Sequence, residues 1–265
     1  MRVNRFKGIA LCTDFDGTLQ YREGEITKEN IDAIRYFQSE GGIFTIISGR
    51  APEYIEQFSD KIKVNTCLCG QNGACIKDYI TKQVLFEDYI INPQFVIETI
   101  LKYVPEIRTI DYRTSNSVSL PCENGKTLGK IPNEKAYKLL CRISDTTSIE
   151  ESDRITAKIR ELFGKDYSVF RSWYYGIEIQ NKNCHKGSAV DFIRQYEKEN
   201  AQMVICVGDF ENDIPMLRIT PYSFAVENAI PSVKAVCNFK TTSPEKSSIA
   251  RIIEMLPDLS SRQIG

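Results

Sequence analysis

The sequence predicts an α/β protein: a doubly wound core with a parallel sheet, interrupted by an inserted α+β domain. Three observations carry that prediction. Short, wholly apolar runs alternate with helix-spaced stretches at both ends of the 265-residue chain, as in parallel sheets buried on both faces. The middle of the chain changes texture, to strands followed by single helices with hairpin-like closure, the habit of antiparallel sheet. Two carboxylates follow the first apolar run at once, where open α/β sheets gather their chemistry, beyond the carboxyl ends of the strands.

In order, residues 8–12 (Gly8-Ile9-Ala10-Leu11-Cys12) form a buried strand opened by a glycine. Residues 27–38 place Ile31, Ile34 and Phe37 at helical spacing, with Thr27 as N-cap and Gly41-Gly42 as the stop. The run 43–47 is a central strand, Pro52 opens the next helix, and 64–69 leads into the turn Gly70-Gln71-Asn72-Gly73. The insertion reads as a helix at 94–103, strands near 107–112, 117–120 and 137–143, a helix at 149–163 with Ile155, Ile159 and Leu162 on one face, and strands at 167–171 and 174–179. The doubly wound pattern resumes with a helix at 186–199 whose apolar side is Val190, Ile193 and Tyr196. A strand at 203–207, a helix at 212–219, a short strand at 223–226 and a helix at 247–256 complete it, before a polar tail expected to fray. The domains expected are therefore a core of residues 1–80 and 184–265 and an insertion of residues 81–183, long enough to fold as a unit.

Composition narrows the function classes. With 42% apolar and 26% charged residues the chain resembles an ordinary globular protein. Lys and Arg number 34 against 35 acidic residues, a net charge of −1, which gives no electrostatic reason to expect nucleic acid or an anionic membrane as partner. No run approaches the roughly 20 apolar residues that span a bilayer, and the amino terminus is too weakly apolar for a signal peptide. The nine cysteines are odd in number, scattered and without a Cys-x-x-Cys pair. They read as reduced, buried small hydrophobes of a cytoplasmic protein. The lone His185 cannot complete a multi-histidine metal site.

The chemistry centres on Asp14-Phe15-Asp16-Gly17-Thr18-Leu19. Gly17 allows a sharp turn after the strand, and Thr18 offers a hydroxyl near the carboxylates. Alone, the stretch also has a second, less favoured reading as an ordinary polar turn after a strand. Three more stretches follow in order: Ile46-Ile47-Ser48-Gly49-Arg50, then Lys186-Gly187, then Gly208-Asp209-Phe210-Glu211-Asn212-Asp213-Ile214-Pro215-Met216-Leu217. Singly, the first and last read equally well as a strand-ending turn and an acidic helix start, and Lys186 reads better as a solvated lysine opening a helix. Together they resemble the ordered motifs of the haloacid dehalogenase (HAD) superfamily of phosphotransferases. The last stretch, with Asn72-Gly73-Ala74, is similar to the Cof-type (subfamily IIB) branch.

The resemblance covers the whole chain and implies a Rossmann-like core with a cap of the C2B type. It implies roles as well. Asp14 would attack phosphorus and form an aspartyl-phosphate, and Asp16 would protonate the leaving oxygen and then take a proton from water. Asp14, Asp209 and the backbone carbonyl of Asp16 would hold Mg²⁺, a hard cation that prefers such oxygens. Phe15 (by its N–H), Ser48, Gly49, Lys186 and Asn212 would contact the phosphate, and Asp213 would support the metal or Lys186 from behind. Arg50 is expected in a structural salt bridge rather than on substrate.

The cap would select the substrate, with Arg171, Trp173 and Tyr174 as candidates; the aromatics could stack on a sugar or base or simply pack on the cap helices. Two segments depart from the family pattern: Val226-Glu227 before Asn228-Ala229, and Thr241-Thr242-Ser243-Pro244-Glu245 in place of an acidic-Gly-Val segment. The expectation is a cytoplasmic, Mg²⁺-dependent phosphatase of a small phosphorylated metabolite such as a sugar phosphate, monomeric or homodimeric. A phosphotransferase or mutase on the same chemistry, or a phospho-ligand-binding regulator without turnover, are the alternatives.

Overall fold

The computed structural model describes residues 4–114 and 117–261; the last four residues of the expected polar tail lie outside that range. Two compact units share the chain, one of residues up to Phe86 together with those from Lys186 on, the other Glu87–His185.

The first unit opens with β1 (Gly8–Thr13), every residue buried. Helix α1 (Lys28–Ser39) follows, its start fixed by the Thr27 side chain accepting from Asn30 N, the orphan-donor satisfaction expected of an N-cap. Then come β2 (Ile43–Ile46), the short α2 (Pro52–Glu56), β3 (Cys67–Gly70), β4 (Cys75–Asp78) and β5 (Val84–Glu87).

The second unit contains α3 (Pro93–Tyr103), β6 (Thr109–Arg113), β7 (Val118–Glu123), β8 (Lys126–Thr127), β9 (Lys138–Arg142), α4 (Ile149–Phe163), β10 (Tyr167–Trp173) and β11 (Gly176–Asn181). Its six strands make one sheet ordered β10-β11-β9-β6-β7-β8, with every described pairing antiparallel. Ile110, Tyr112, Leu139, Cys141, Ile177 and Ile179 alternate along the strands and pack with Ile97 and Ile100 of α3 and Ile155 and Ile159 of α4. Several intervening positions are buried yet polar, around Leu140: Lys138 pairs with Glu178, and Asp111 binds Arg113, Arg142 and Ser119. On α4 the core-facing residue of the last turn is Phe163, while Leu162 is exposed. A helix turns about 100° per residue, and here that step carries Leu162 off the buried side that Phe163 occupies.

The chain returns through α5 (Lys186–Tyr196), β12 (Ala201–Gly208), α6 (Ile214–Arg218), β13 (Tyr222–Ala225), α7 (Pro231–Val236), β14 (Phe239–Lys240) and α8 (Ser248–Ser261). Tyr196 does not join the buried side of α5; its ring stacks on Phe192 and its hydroxyl reaches Asp78. The core sheet is parallel in the order β14-β13-β12-β1-β2, and a parallel bridge from Ile47 to Cys69 continues it towards β3. Chain order thus reverses between β1 and β12, which is the switch point where doubly wound sheets bind ligands. Eight of the nine cysteines are buried and all nine are unbridged. Among the described residues no helix is long and apolar enough to cross a membrane.

Candidate active site

Sheet register brings the loops together. Thr13 on β1 lies opposite Val207 on β12 and Ile46 on β2, so Asp14, Gly208-Asp209 and Ile47-Ser48 leave the sheet side by side at its carboxyl edge. Backbone bonds extend that edge, from Asp14 N to Val207 O (3.0 Å) and from Ile47 N to Thr13 O (2.9 Å). Lys186, the first residue of α5, enters the same space. Its Nζ donates to Asp14 Oδ1 at 2.5 Å and to Asp213 Oδ1 at 2.6 Å.

This lysine is wholly buried. Burial works against its charge, but Asp14 and Asp213 outweigh that penalty and hold it protonated far above the usual lysine range. Asp14 is in the opposite position. Burial, together with the Asp213 and Asp209 charges, outweighs Lys186 and pushes its carboxyl well above the usual carboxylate range. Asp209, with Thr18 Oγ1 donating to its Oδ1 at 3.1 Å, is raised to about 7, by burial first and the Asp213 charge second. One lysine cannot neutralise this much negative charge. Asp14, Asp209 and Asp213 each offer a carboxylate oxygen, all within 4.8 Å of one another, and a hard divalent cation fits such a donor set. Asp213 is the most committed of the three: its Oδ2 accepts from the N–H groups of Asp209 and Phe210 at 2.8 and 3.0 Å, and its Oδ1 from Lys186. That leaves Asp14 and Asp209 the better placed for a metal.

Glycines make this crowding possible at two points. Gly17 has φ +76°, and a Cβ there would stand 2.7 Å from Asp209 Oδ2. A Cβ on Gly208 would stand 2.5 Å from Asp213 Cβ.

Asp16 stands apart from the acidic cluster. Its carboxylate accepts from Arg50 Nε (2.9 Å) and Nη2 (3.1 Å) and from Gln20 Nε2 (2.7 Å). Its side chain is thus engaged away from the other three carboxylates, and Arg50 is in the salt bridge expected of it. Asp16 holds that guanidinium charged, above its ordinary range. Ser48 is buried, with its Oγ accepting from Arg50 N at 3.1 Å. Asn212 donates from Nδ2 to Asn72 Oδ1 at 3.2 Å, which ties the loop after β12 to the loop after β3. The Phe15 ring packs on Phe58 and Tyr54 and leaves only its backbone to face a ligand. Gly49 is half-buried beside Ser48.

Arg171, Trp173 and Tyr174 belong to the second unit. Arg171 is buried and ion-paired with Asp153 at 2.6 Å, with its guanidinium over the Tyr174 ring at 5.7 Å. Arg142 lies over the Trp173 ring at 5.3 Å. Sequence reasoning missed Gln20 and Asn228. Gln20 orients Asp16, and its spacing of four residues in a turn was the available signal. Asn228 Nδ2 donates to Gly17 O at 2.8 Å, a contact no local pattern announces.

The chain is similar along its whole length to known proteins. A Haemophilus influenzae protein provisionally named a phosphatase is 27% identical, covering 92% of this chain and 97% of its own. A Bacillus subtilis 5-amino-6-(5-phospho-D-ribitylamino)uracil phosphatase is 24% identical (93% and 97%), and an Escherichia coli pyridoxal phosphate phosphatase is 24% identical (92% and 96%). Among solved structures, a HAD subclass IIB sugar phosphatase shares the fold with a TM-score of 0.74 at 19% identity, covering 93% of this chain and 98% of that one. A Plasmodium vivax protein provisionally named a HAD/COF-like hydrolase does so at 0.77 and 22% identity (96% and 97%). The model of the haloacid dehalogenase-like hydrolases matches residues 11–127 and 110–253, and so the chain belongs to that family.

Proposed function

We propose that the protein is a Mg²⁺-dependent phosphatase that hydrolyses a small phosphorylated metabolite, a sugar phosphate or a close analogue, through a phosphoryl group carried on Asp14. The observation that carries the reading is the position of Asp14. It is buried at the switch point, held at 2.5 Å by Lys186, and clustered with Asp209 and Asp213. Membership of a hydrolase family, and relatives named for phosphatase activity on phosphorylated small molecules, support it.

On this reading each residue has a part. An Asp14 oxygen attacks phosphorus, the P–O bond to the leaving group breaks, and Asp16 gives that oxygen its proton. Water then attacks the aspartyl-phosphate, Asp16 takes a proton from it, and Asp14 and inorganic phosphate are regenerated. Lys186 fixes the Asp14 carboxylate and offsets phosphoryl charge as a compact cation. Asp213 keeps Lys186 and the backbone of Asp209 and Phe210 in place. Ser48, the N–H groups of Phe15 and Gly49, and Asn212 take phosphate oxygens. Asp14, Asp209 and the Asp16 carbonyl would hold Mg²⁺, which reduces the repulsion between the Asp14 anion and the phosphate anion. Within the second unit, Trp173 and Tyr174 are the candidates for contact with the rest of the substrate.

The test is phosphate release from a panel of sugar phosphates and nucleotides, with Mg²⁺ and with chelator. Release that needs Mg²⁺, and that is lost in a folded Asp14→Asn variant, is the expected result. Activity retained by Asp14→Asn would sink the mechanism, and no release from any compound would sink the reading.

A further inference from the structure

We propose that Gln71 contacts the substrate, its side-chain amide oxygen accepting a hydrogen bond from a hydroxyl of the leaving group. The inference rests on the phosphatase reading above and deepens it, because it asks for a hydroxylated substrate. Gln71 carries two costs that packing does not explain. Its φ is +52° and that of Asn72 is +55°, so two successive non-glycine residues hold the left-handed conformation, which side chains with a Cβ resist. In addition, Gln71 is only 2% exposed, and its Oε1 is buried without a hydrogen-bond partner. A buried amide oxygen left without a donor is unfavourable. Glycine would relieve the first cost and an apolar side chain the second.

The backbone around Gln71 locates it. Gln71 N donates to Arg50 O and Asn72 N to Ser48 O, both at 2.8 Å. The strained pair is thus fastened to the Ser48–Arg50 loop. The Arg50 side chain holds Asp16, the group proposed to protonate the leaving oxygen. The Gln71 backbone is thus fastened to the residue that orients the proposed acid, and the proposal puts the Gln71 side chain on the leaving-group side. What its oxygen lacks is a donor, and hydroxyls beyond the phosphate of a sugar or polyol phosphate supply one. A site built to receive a substrate hydroxyl discriminates strongly against analogues without it, since the protein group is then left unpaired.

The experiment compares the wild type with Gln71→Gly and Gln71→Leu on the best sugar phosphate of the panel and on p-nitrophenyl phosphate, whose leaving group has no hydroxyl donor. The ratio of kcat/KM for the sugar phosphate over p-nitrophenyl phosphate should fall about tenfold in both variants. The thermal midpoint of Gln71→Gly should hold or rise, because glycine accepts the left-handed conformation. A residue with a merely structural role would lower both activities in parallel and leave the ratio unchanged, and that result overturns the proposal. If the wild type hydrolyses neither compound, the phosphatase reading fails separately. Gln71 is then judged by calorimetric binding of the same sugar phosphate to wild type and Gln71→Leu, where equal affinity overturns it and an affinity about tenfold weaker in the variant upholds it.

Discussion

Gly17 shows how little room the candidate site leaves. It turns the chain at φ +76° while its α-carbon faces Asp209 closely enough that a methyl group would meet Oδ2 at 2.7 Å. The Asp209 carboxylate is held there by Thr18, and Gly17 O receives Asn228, so neither side can yield without losing a hydrogen bond. Gly17→Ala should therefore displace Asp209 and lower kcat by about a hundredfold, since small misplacements of reacting groups have that order of effect. Steady-state kinetics at saturating Mg²⁺ checks it, and a rate within about twofold of wild type would show that the loop relaxes freely. The same residues show what a sequence can and cannot announce. Asp14, Asp209 and Lys186 could be singled out because they stand in four ordered motifs that resemble those of a known family. Alone, each follows or opens a patterned element and also reads as a turn, a helix start or a solvated lysine. The Arg50 and Gln20 clamp on Asp16, and the contact of Asn228, depend on how separate loops meet, which no local pattern encodes.

At the scale of elements, the apolar runs of the parallel core were legible because strands buried on both faces need uninterrupted hydrophobic residues. The elements that went unread are short or polar. β4 and β5 flank an exposed Ile80 turn, with Val84 and Phe86 themselves exposed. β8 and β14 are two residues each, and α7 has six, too short for periodicity to register. In the second unit periodicity sufficed for both helices, but the alternating polar positions of its strands did not declare the buried Lys138–Glu178 pair. That unit has its own apolar core, and its two ends are pinned together by Asn181 Nδ2 donating to Asp88 Oδ1 and Oδ2 at 2.9 and 3.0 Å. Glu87–His185 expressed alone should fold, with a mixed α/β circular-dichroism spectrum and a single cooperative thermal transition. A non-cooperative melt would mean that the unit depends on the rest of the chain.

For the molecule as a whole, the site is a store of unfavourable charge, and its sign predicts how stability follows pH. Asp209 titrates at about 7 in the folded protein against an ordinary 3.8, and Asp14 is raised as well. Between those limits the native state keeps protons that the unfolded chain has released. Metal-free protein must then lose stability as pH rises from about 4 to about 7, by a few kcal/mol in total. A cation bound by Asp14 and Asp209 acts in the opposite sense. It competes with the same protons, binds better as they leave, and stabilises the native state by mass action. The increase in thermal midpoint on adding Mg²⁺ should therefore be larger near pH 8 than near pH 5. In Asp209→Asn the metal-free midpoint should depend less on pH and the Mg²⁺ increment should nearly vanish. Melting curves at both pH values, with Mg²⁺ and with chelator, decide it. An equal increment at the two pH values, or an undiminished one in Asp209→Asn, would move the cation away from these carboxylates and leave the raised pKa values as a cost of folding that binding does not relieve.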